Sequence, residues 1–478
     1  MGNKEWNKTG VTFIFLSVII VVASVPLMTD YILWGRELQV SLGRIEAIRE
    51  NIGRVFPVVI RPWDSLDYGY GAASLQADVY LLIPVFFRFL GMGIGTAYKL
   101  TLFLINIAVG ITAYLSFRRC YRREDVALVG SMLYTWCPYR LNAMYVNGDL
   151  GESFVWIFLV MTVSSLMEFY IRDEEKKVDG NIWRRLAWGL ALMAPASTSV
   201  FFVTLGMCGL CLFFQGKKAL TREIVLGVCK AAGLACLVNF WFLGPMCLEW
   251  RGTLAVICSD PDRMISESIY VLRYMSTFLW GGVSSSSFEN GMLDAQALCP
   301  GIAVMILIFL FLWILYVGKY QGFRVRRTGS RMLYVCLILM VLSSNVFPWD
   351  LFQSNKLFFM LIALFQVPAK WGIPACGELI AVACFVLWII SQMENEVVCQ
   401  RLLLAVTLVS LATTQFFLGN VLKRGSVIRP ESGKYEGIPF QIVAQQTVVW
   451  KICGIISAVT LCICLATRLM RRKNGRIS

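Results

Sequence analysis

Glu37, Ser41 and Arg44 recur at i, i+4 and i+7, so a helix over this stretch gathers an acid, a hydroxyl and a guanidinium on one face. Leu38, Leu42, Ile45 and Ile52 fall on another side, which suits a helix lying in a membrane interface with its apolar face in lipid. Two further acids, Asp78 in "QADVYLLIPVFFRFLG" and Glu152 in "NGDLGESF", stand at the edges of apolar runs rather than in their middles. Arg61 and Arg140 occupy similar edge positions. A carboxylate at such a boundary can take the proton of an acceptor hydroxyl. Guanidinium forks nearby can hold a departing phosphate, whose oxygens they match. The plainer reading of the same residues is a set of rim charges that solvate helix ends.

These residues need a scaffold, and the composition says which kind. Of 478 residues, 58% are hydrophobic and only 15% charged, far more apolar surface than a water-soluble chain of this size can hide. Apolar runs recur along the whole chain, from 11–33 to 447–467. The basic segments between them, such as "FRRCYRR" (117–123), "GKYQGFRVRRTGSR" (318–331) and the tail "RLMRRKNGR", belong on the cytoplasmic face by the positive-inside rule. The net charge of +14 therefore reports membrane topology, not nucleic-acid binding. Parity of the basic loops requires that the run 75–91, with Asp78, Pro84 and Arg88, does not cross, and that 357–368 re-enters from outside.

The expected architecture is an all-α polytopic bundle of about twelve transmembrane helices, both termini cytoplasmic, with jaw and re-entrant helices on the outer side. Its segments are a first helix (1–33), an outer loop with amphipathic and jaw helices (34–96), a membrane core (97–418) carrying an outer loop at 245–299, a short outer segment (419–446), and a last helix with a basic tail (447–478). Retention of the first run is expected, since no small-residue cleavage site follows it.

Several function classes drop out. The chain has no histidine, which removes the commonest general base and metal ligand. Most of its 16 cysteines sit singly in apolar runs, where they act as small hydrophobes. Cys258 and Cys299 could pair outside, though nothing demands it. No nucleotide-binding glycine motif is present, and no long repeat suggests an inverted-repeat transporter. Glu37 and Asp78 could share a divalent cation, but no tight acidic cluster argues for a metal. Glu378 is a further candidate, because an acid inside a membrane run is a functional candidate by default.

The order of motifs adds a resemblance. "VPLMTDYILWGRELQVSLGRIEAI", "RVFPVVIRPWDSLDYGYG", "ADVYLLIPVFFRFLG", "LYTWCPYRLNAMYVNGDLGE", "NFWFLGPMCLEW", "LSSNVFPWDLF" and "FQVPAKW" follow one another as in the YfhO-like bacterial membrane proteins of the GT-C glycosyltransferase superfamily. The resemblance spans about residues 20–392. It implies a GT-C fold in the bacterial plasma membrane with its active site at the first outer loop. Glu37, Asp78 and Glu152 would then be catalytic acids. The implied activity is transfer of a sugar from a polyprenyl-phosphate carrier to a cell-surface acceptor, such as a teichoic-type polymer or a lipid, with no nucleic-acid partner. Arg36 and Ser41 stand where the family carries histidines, and Glu37 where it carries aspartate. Those departures keep two other readings open: a transporter or flippase of a lipid-linked saccharide, and a catalytically silent scaffold of envelope assembly.

Overall fold

The computed structural model describes residues 2–33, 35, 37–52, 59–62, 78–172, 182–215, 222–247, 268–275, 297–317, 323–353, 368–393, 395–423, 427–428, 440–443 and 448–474. Apolar runs with no water to satisfy their backbone must bond internally, and these runs do so as helices. The first half contains α1 (Gly2–Ala23), α2 (Leu38–Asn51), α3 (Leu82–Phe89), α4 (Ile94–Tyr121), α5 (Glu124–Thr135), α6 (Pro138–Asn142), α7 (Leu150–Arg172), α8 (Ile182–Met193) and α9 (Thr198–Gln215). The second half contains α10 (Arg222–Val238), α11 (Phe240–Cys247), α12 (Ile302–Val317), α13 (Phe323–Ser343), α14 (Trp349–Gln353), α15 (Gly372–Met393), α16 (Glu396–Lys423) and α17 (Val448–Asn474).

Among the described residues, four helices are long and apolar enough to cross a membrane: Ile94–Tyr121, Leu150–Phe169, Pro368–Gln392 and Glu396–Leu422. A fifth passes the test only as the pair α10 and α11, bent by 82°. Asn239 stands at that bend and spends its amide on the carbonyls of Ala191 and Ala235, both at 2.8 Å. Other runs make shorter apolar helices, among them Thr198–Phe214, Ile302–Val317 and Thr328–Ser343. The apolar stretch 125–145, long enough in sequence to form one helix, is broken instead. Pro138 lacks the amide hydrogen a continuing helix needs, so α5 stops at Thr135 and a new short helix starts at the proline.

One helix forms the axis of the bundle. Within its apolar window α15 is 94% buried, against 28% for the neighbouring α16, so α15 faces protein on all sides while α16 lies at the edge. The bundle packs chiefly through α4 against α5 and α7, α8 against α7 and α10, and α15 against α5, α12 and α13.

Two small antiparallel sheets tie distant segments together at one end. Strand β1 (Ile32–Leu33) pairs with β3 (Val427–Ile428), and β2 (Val59–Pro62) with β4 (Phe440–Val443) in a register that sets Arg61 opposite Gln441. The segment after α1 and the segment after α16 therefore lie on the same side of the bundle. The 3-10 turn Asp78–Leu81 and α3 sit at this end too. Their 12 residues rise roughly 18 Å, short of the ~30 Å hydrocarbon core. Most of the re-entrant run 357–368, most of the loop 245–299, Arg36 and Cys258 lie outside the described residues.

Candidate functional site

The site is built on the corner between α6 and α7. After Pro138–Asn142 the chain makes one π-helical turn, Ala143–Asn147, and stops at Gly148, whose φ of +71° is strained for any side-chain-bearing residue. Asp149 then caps α7: its Oδ1 accepts the Glu152 backbone N–H at 3.1 Å, and its carbonyl accepts the Ser153 hydroxyl at 2.7 Å. The stretch "NGDLGES" thus reads as a stop, a cap and a first-turn acid, with Glu152 where the helix dipole favours negative charge. Gly151 lets this turn touch the 194–197 turn, since a Cβ there would lie 2.5 Å from the Ala196 carbonyl oxygen.

Helix α2 docks onto the same corner. The Glu37 N–H donates to the Asn147 carbonyl at 2.7 Å, and the Ser41 hydroxyl to the Gly148 carbonyl at 3.2 Å. Gly35 allows the approach, because a Cβ would lie 2.7 Å from the Asn147 oxygen. The apolar side of α2 does not lie in lipid as its pattern suggested. Leu38, Leu42, Ile45 and Ile48 are buried in the protein core, while Ile52 is half-buried. The reason is α3, which packs over α2 and is held there by Arg88 Nε at 2.5 Å from Glu46 Oε1. Glu46 also pairs with Arg49 at 3.0 Å.

Of the face predicted to gather an acid, a hydroxyl and a guanidinium, Ser41 and Arg44 are buried and Glu37 is exposed at its head. Ser41 and Arg44 line a small cleft of about 30 Å³, together with Tyr80, Asp149, Gly151 and Pro195. Tyr80 is fixed there by donating to the Leu192 carbonyl at 2.7 Å and by stacking on Phe154 at 4.7 Å.

Glu152 is buried beside this cleft and feels the charges of Asp149, Lys370 and Glu37. Its Oε1 lies 3.7 Å from Lys370 Nζ, which also donates to the Ser199 hydroxyl at 3.1 Å. Three of the expected residues, Glu37, Arg44 and Glu152, are therefore brought together. The backbone of Asp78 opens the 3-10 turn that carries Tyr80, and Arg61 lies in β2; their side chains lie outside the described residues.

Arg140 is placed elsewhere. It has no exposed surface and does not line the cleft. Its Nε donates to the Thr135 carbonyl at 2.8 Å and its Nη1 to Asn106 Oδ1 at 2.9 Å. Asn106 in turn donates to Ser24 and to Tyr145, whose hydroxyl donates to the Ala23 carbonyl. That network staples α4 and α6 to the end of α1. An arginine at the edge of an apolar run reads alike from sequence whether it turns outward or, as here, inward past a proline break.

Glu378 is also buried. Its partners are the thiols of Cys211, at 3.8 Å, and Cys336, within the packed seam of α9, α13 and α15. Asp149 and Lys370 were missed as site residues. The signal for the first was a helix cap followed by a first-turn acid. For the second it was a lone lysine after a proline at the head of a 22-residue apolar helix. Among the described residues no three cysteine, aspartate or glutamate side chains converge closely enough to hold a metal ion.

No family model matches the chain, and no curated protein matches it. Among solved structures, the cryo-EM structure of the arabinofuranosyltransferase AftD from mycobacteria aligns at TM-score 0.46 and 11% identity, covering 87% of this chain. The chain spans only 27% of that protein's length. A match at that level fixes neither fold nor activity.

Proposed function

We propose that this chain is a membrane glycosyltransferase of GT-C type, moving a sugar from a polyprenyl-phosphate carrier to a cell-envelope acceptor on the extracytoplasmic side of a bacterial plasma membrane. The observation that carries this reading is a cleft lined by Arg44 and Asp149, with Glu152 next to it in sequence and in electrostatic reach of Asp149, Lys370 and Glu37, in a bundle of apolar helices. Carboxylates and cations gathered there can serve an acceptor hydroxyl and a lipid phosphate together. In this reading the bundle makes about twelve passes with both termini cytoplasmic. The strand pairings of 32–33 with 427–428 and of 59–62 with 440–443 support a shared outer side for those segments.

Glu37, exposed at the head of α2, takes the acceptor proton, and Glu152 and Asp78 support it. Arg44 holds the departing phosphate from inside the cleft, aided by Arg61. Arg140, wired into the core, has a structural part in place of the phosphate contact its sequence position suggested. Purified protein in nanodiscs should consume radiolabelled polyprenyl-phosphate sugar, and Glu37→Gln should lose at least a hundredfold in that rate while remaining folded. Full activity in the variant would remove Glu37 as base. No consumption of any donor by folded wild type would overturn the transferase in favour of transport or scaffolding.

A further inference from the structure

Arg140 is the most deeply enclosed arginine among the described residues, and its charge is not balanced by the chain around it. Both acceptors it reaches, the Thr135 carbonyl and Asn106 Oδ1, are neutral. The other groups in electrostatic reach of it are Tyr145, Cys137 and Tyr134, none of them an acid at neutral pH. Each of the three keeps its proton on a carbonyl: Tyr145 donates to Ala23, Cys137 to Cys299 and Tyr134 to Trp156. Arginines nearer the surface are matched differently, Arg88 by Glu46 and Arg185 by Glu168. A buried carboxyl can lose its charge by taking up a proton, but a guanidinium does not give one up.

Two polar atoms stand idle at the same place. Arg140 Nη2 and Thr135 Oγ1 are both buried and have no hydrogen-bond partner. They are neighbours, because Arg140 Nε donates to the carbonyl of Thr135 itself, and Nη2 shares that edge of the planar guanidinium. Both can donate, one as a charged N–H and one as a hydroxyl. Gly110 on α4 keeps clear of that hydroxyl, since even a Cβ there would stand 3.8 Å from it. A water bridging the two atoms would satisfy their hydrogen bonds and leave the buried charge unmatched.

We propose that Arg140 Nη2 and the Thr135 hydroxyl hold a small monovalent anion of chloride size inside the bundle. The anion supplies the counter-charge that the surrounding side chains lack, and it ties the end of α5 to α6 on the way to the Asn147–Gly148 corner. The inference stands apart from the transferase reading and survives its failure. Arg140 and Thr135 have no exposed surface, so the ion is taken up on folding and released on unfolding, and its imprint is on stability.

Full-length protein in detergent is unfolded by heat at one ionic strength in sodium chloride, sodium bromide or sodium gluconate, whose anion is too large for an enclosed site. Wild type should melt several degrees higher in either halide, with a shift that grows with halide concentration as binding to the folded state requires. Arg140→Met should melt at one temperature in all three salts. Thr135→Val removes only the hydroxyl donor and should raise the chloride concentration needed for a given shift several-fold. Equal melting of wild type in halide and gluconate would mean that water serves the two atoms, and would overturn the proposal. Halide stabilisation that persists unchanged in Thr135→Val would place the anion elsewhere and overturn it too, whether or not Arg140→Met folds.

Discussion

Arg44 and Arg140 are both largely hidden arginines at the edges of apolar stretches, and the fold gives them different company. Arg44 rides on α2, whose first turn docks on the Asn147–Gly148 corner, and it lines the cleft with Asp149 and Tyr80. Arg140 lies in a five-residue helix started by Pro138, and its Nε and Nη1 donate to Thr135 and Asn106. Both are costly to bury, since a charge out of water needs partners. In the first case the charge faces a small open cleft; in the second it faces a carbonyl and an amide inside the core. Burial of an arginine in a membrane bundle thus says little about function until its partners are known.

The largest effect that could break the contrast is on Arg140. Arg140→Met strips the Thr135 carbonyl and Asn106 Oδ1 of their donor, about 1–3 kcal/mol for each buried group left unsatisfied. Thermal unfolding in detergent should fall by several degrees, with polyprenyl-phosphate binding intact in the surviving folded fraction. An unchanged melting temperature together with lost binding would put Arg140 back among the phosphate ligands.

Arg44→Met should show the opposite split. We expect binding at least tenfold weaker and a melting temperature close to wild type, read by the same two assays. Gly151→Ala tests the corner itself. A methyl 2.5 Å from the Ala196 carbonyl must push α7 and the 194–197 turn apart, at about 1–3 kcal/mol for overpacking. Transfer should fall with it, and an alanine tolerated in both stability and transfer would mean that this close approach does not position the site.

The smallest expected effect lies at the outer clamp. Glu46→Gln opens the partly buried pair with Arg88, worth about 1 kcal/mol, and should loosen α3 over α2. Faster hydrogen exchange in 78–90 would register that loosening, while exchange over 94–121 stays the same.

Parts of this were legible in the residues themselves. Leu38, Leu42 and Ile45 fall on one side of α2 by spacing alone, and the spacing held in the structure. What covers that side was not legible, because lipid and a second apolar helix present the same surface to a pattern. The Glu46–Arg88 pair that settles it spans 42 residues. Glu37, Arg44 and Glu152 stood out as candidates because acids and arginines at run edges are few. Lys370 stood within "FQVPAKW" without being singled out, because its partners lie 171 and more residues away along the chain.

The sequence by itself determined that the chain is a set of apolar helices with its charges at their ends, since 58% hydrophobic content leaves the backbone little alternative to helix in a lipid setting. It also determined where those helices stop, through Pro138, Gly148 and the Asp149 cap, because those residues act on their own backbone. Only the tertiary structure decided which charges share a cleft and which are consumed in the core. Pairing depends on how distant helix ends are stacked, and side-chain type and spacing carry no record of that.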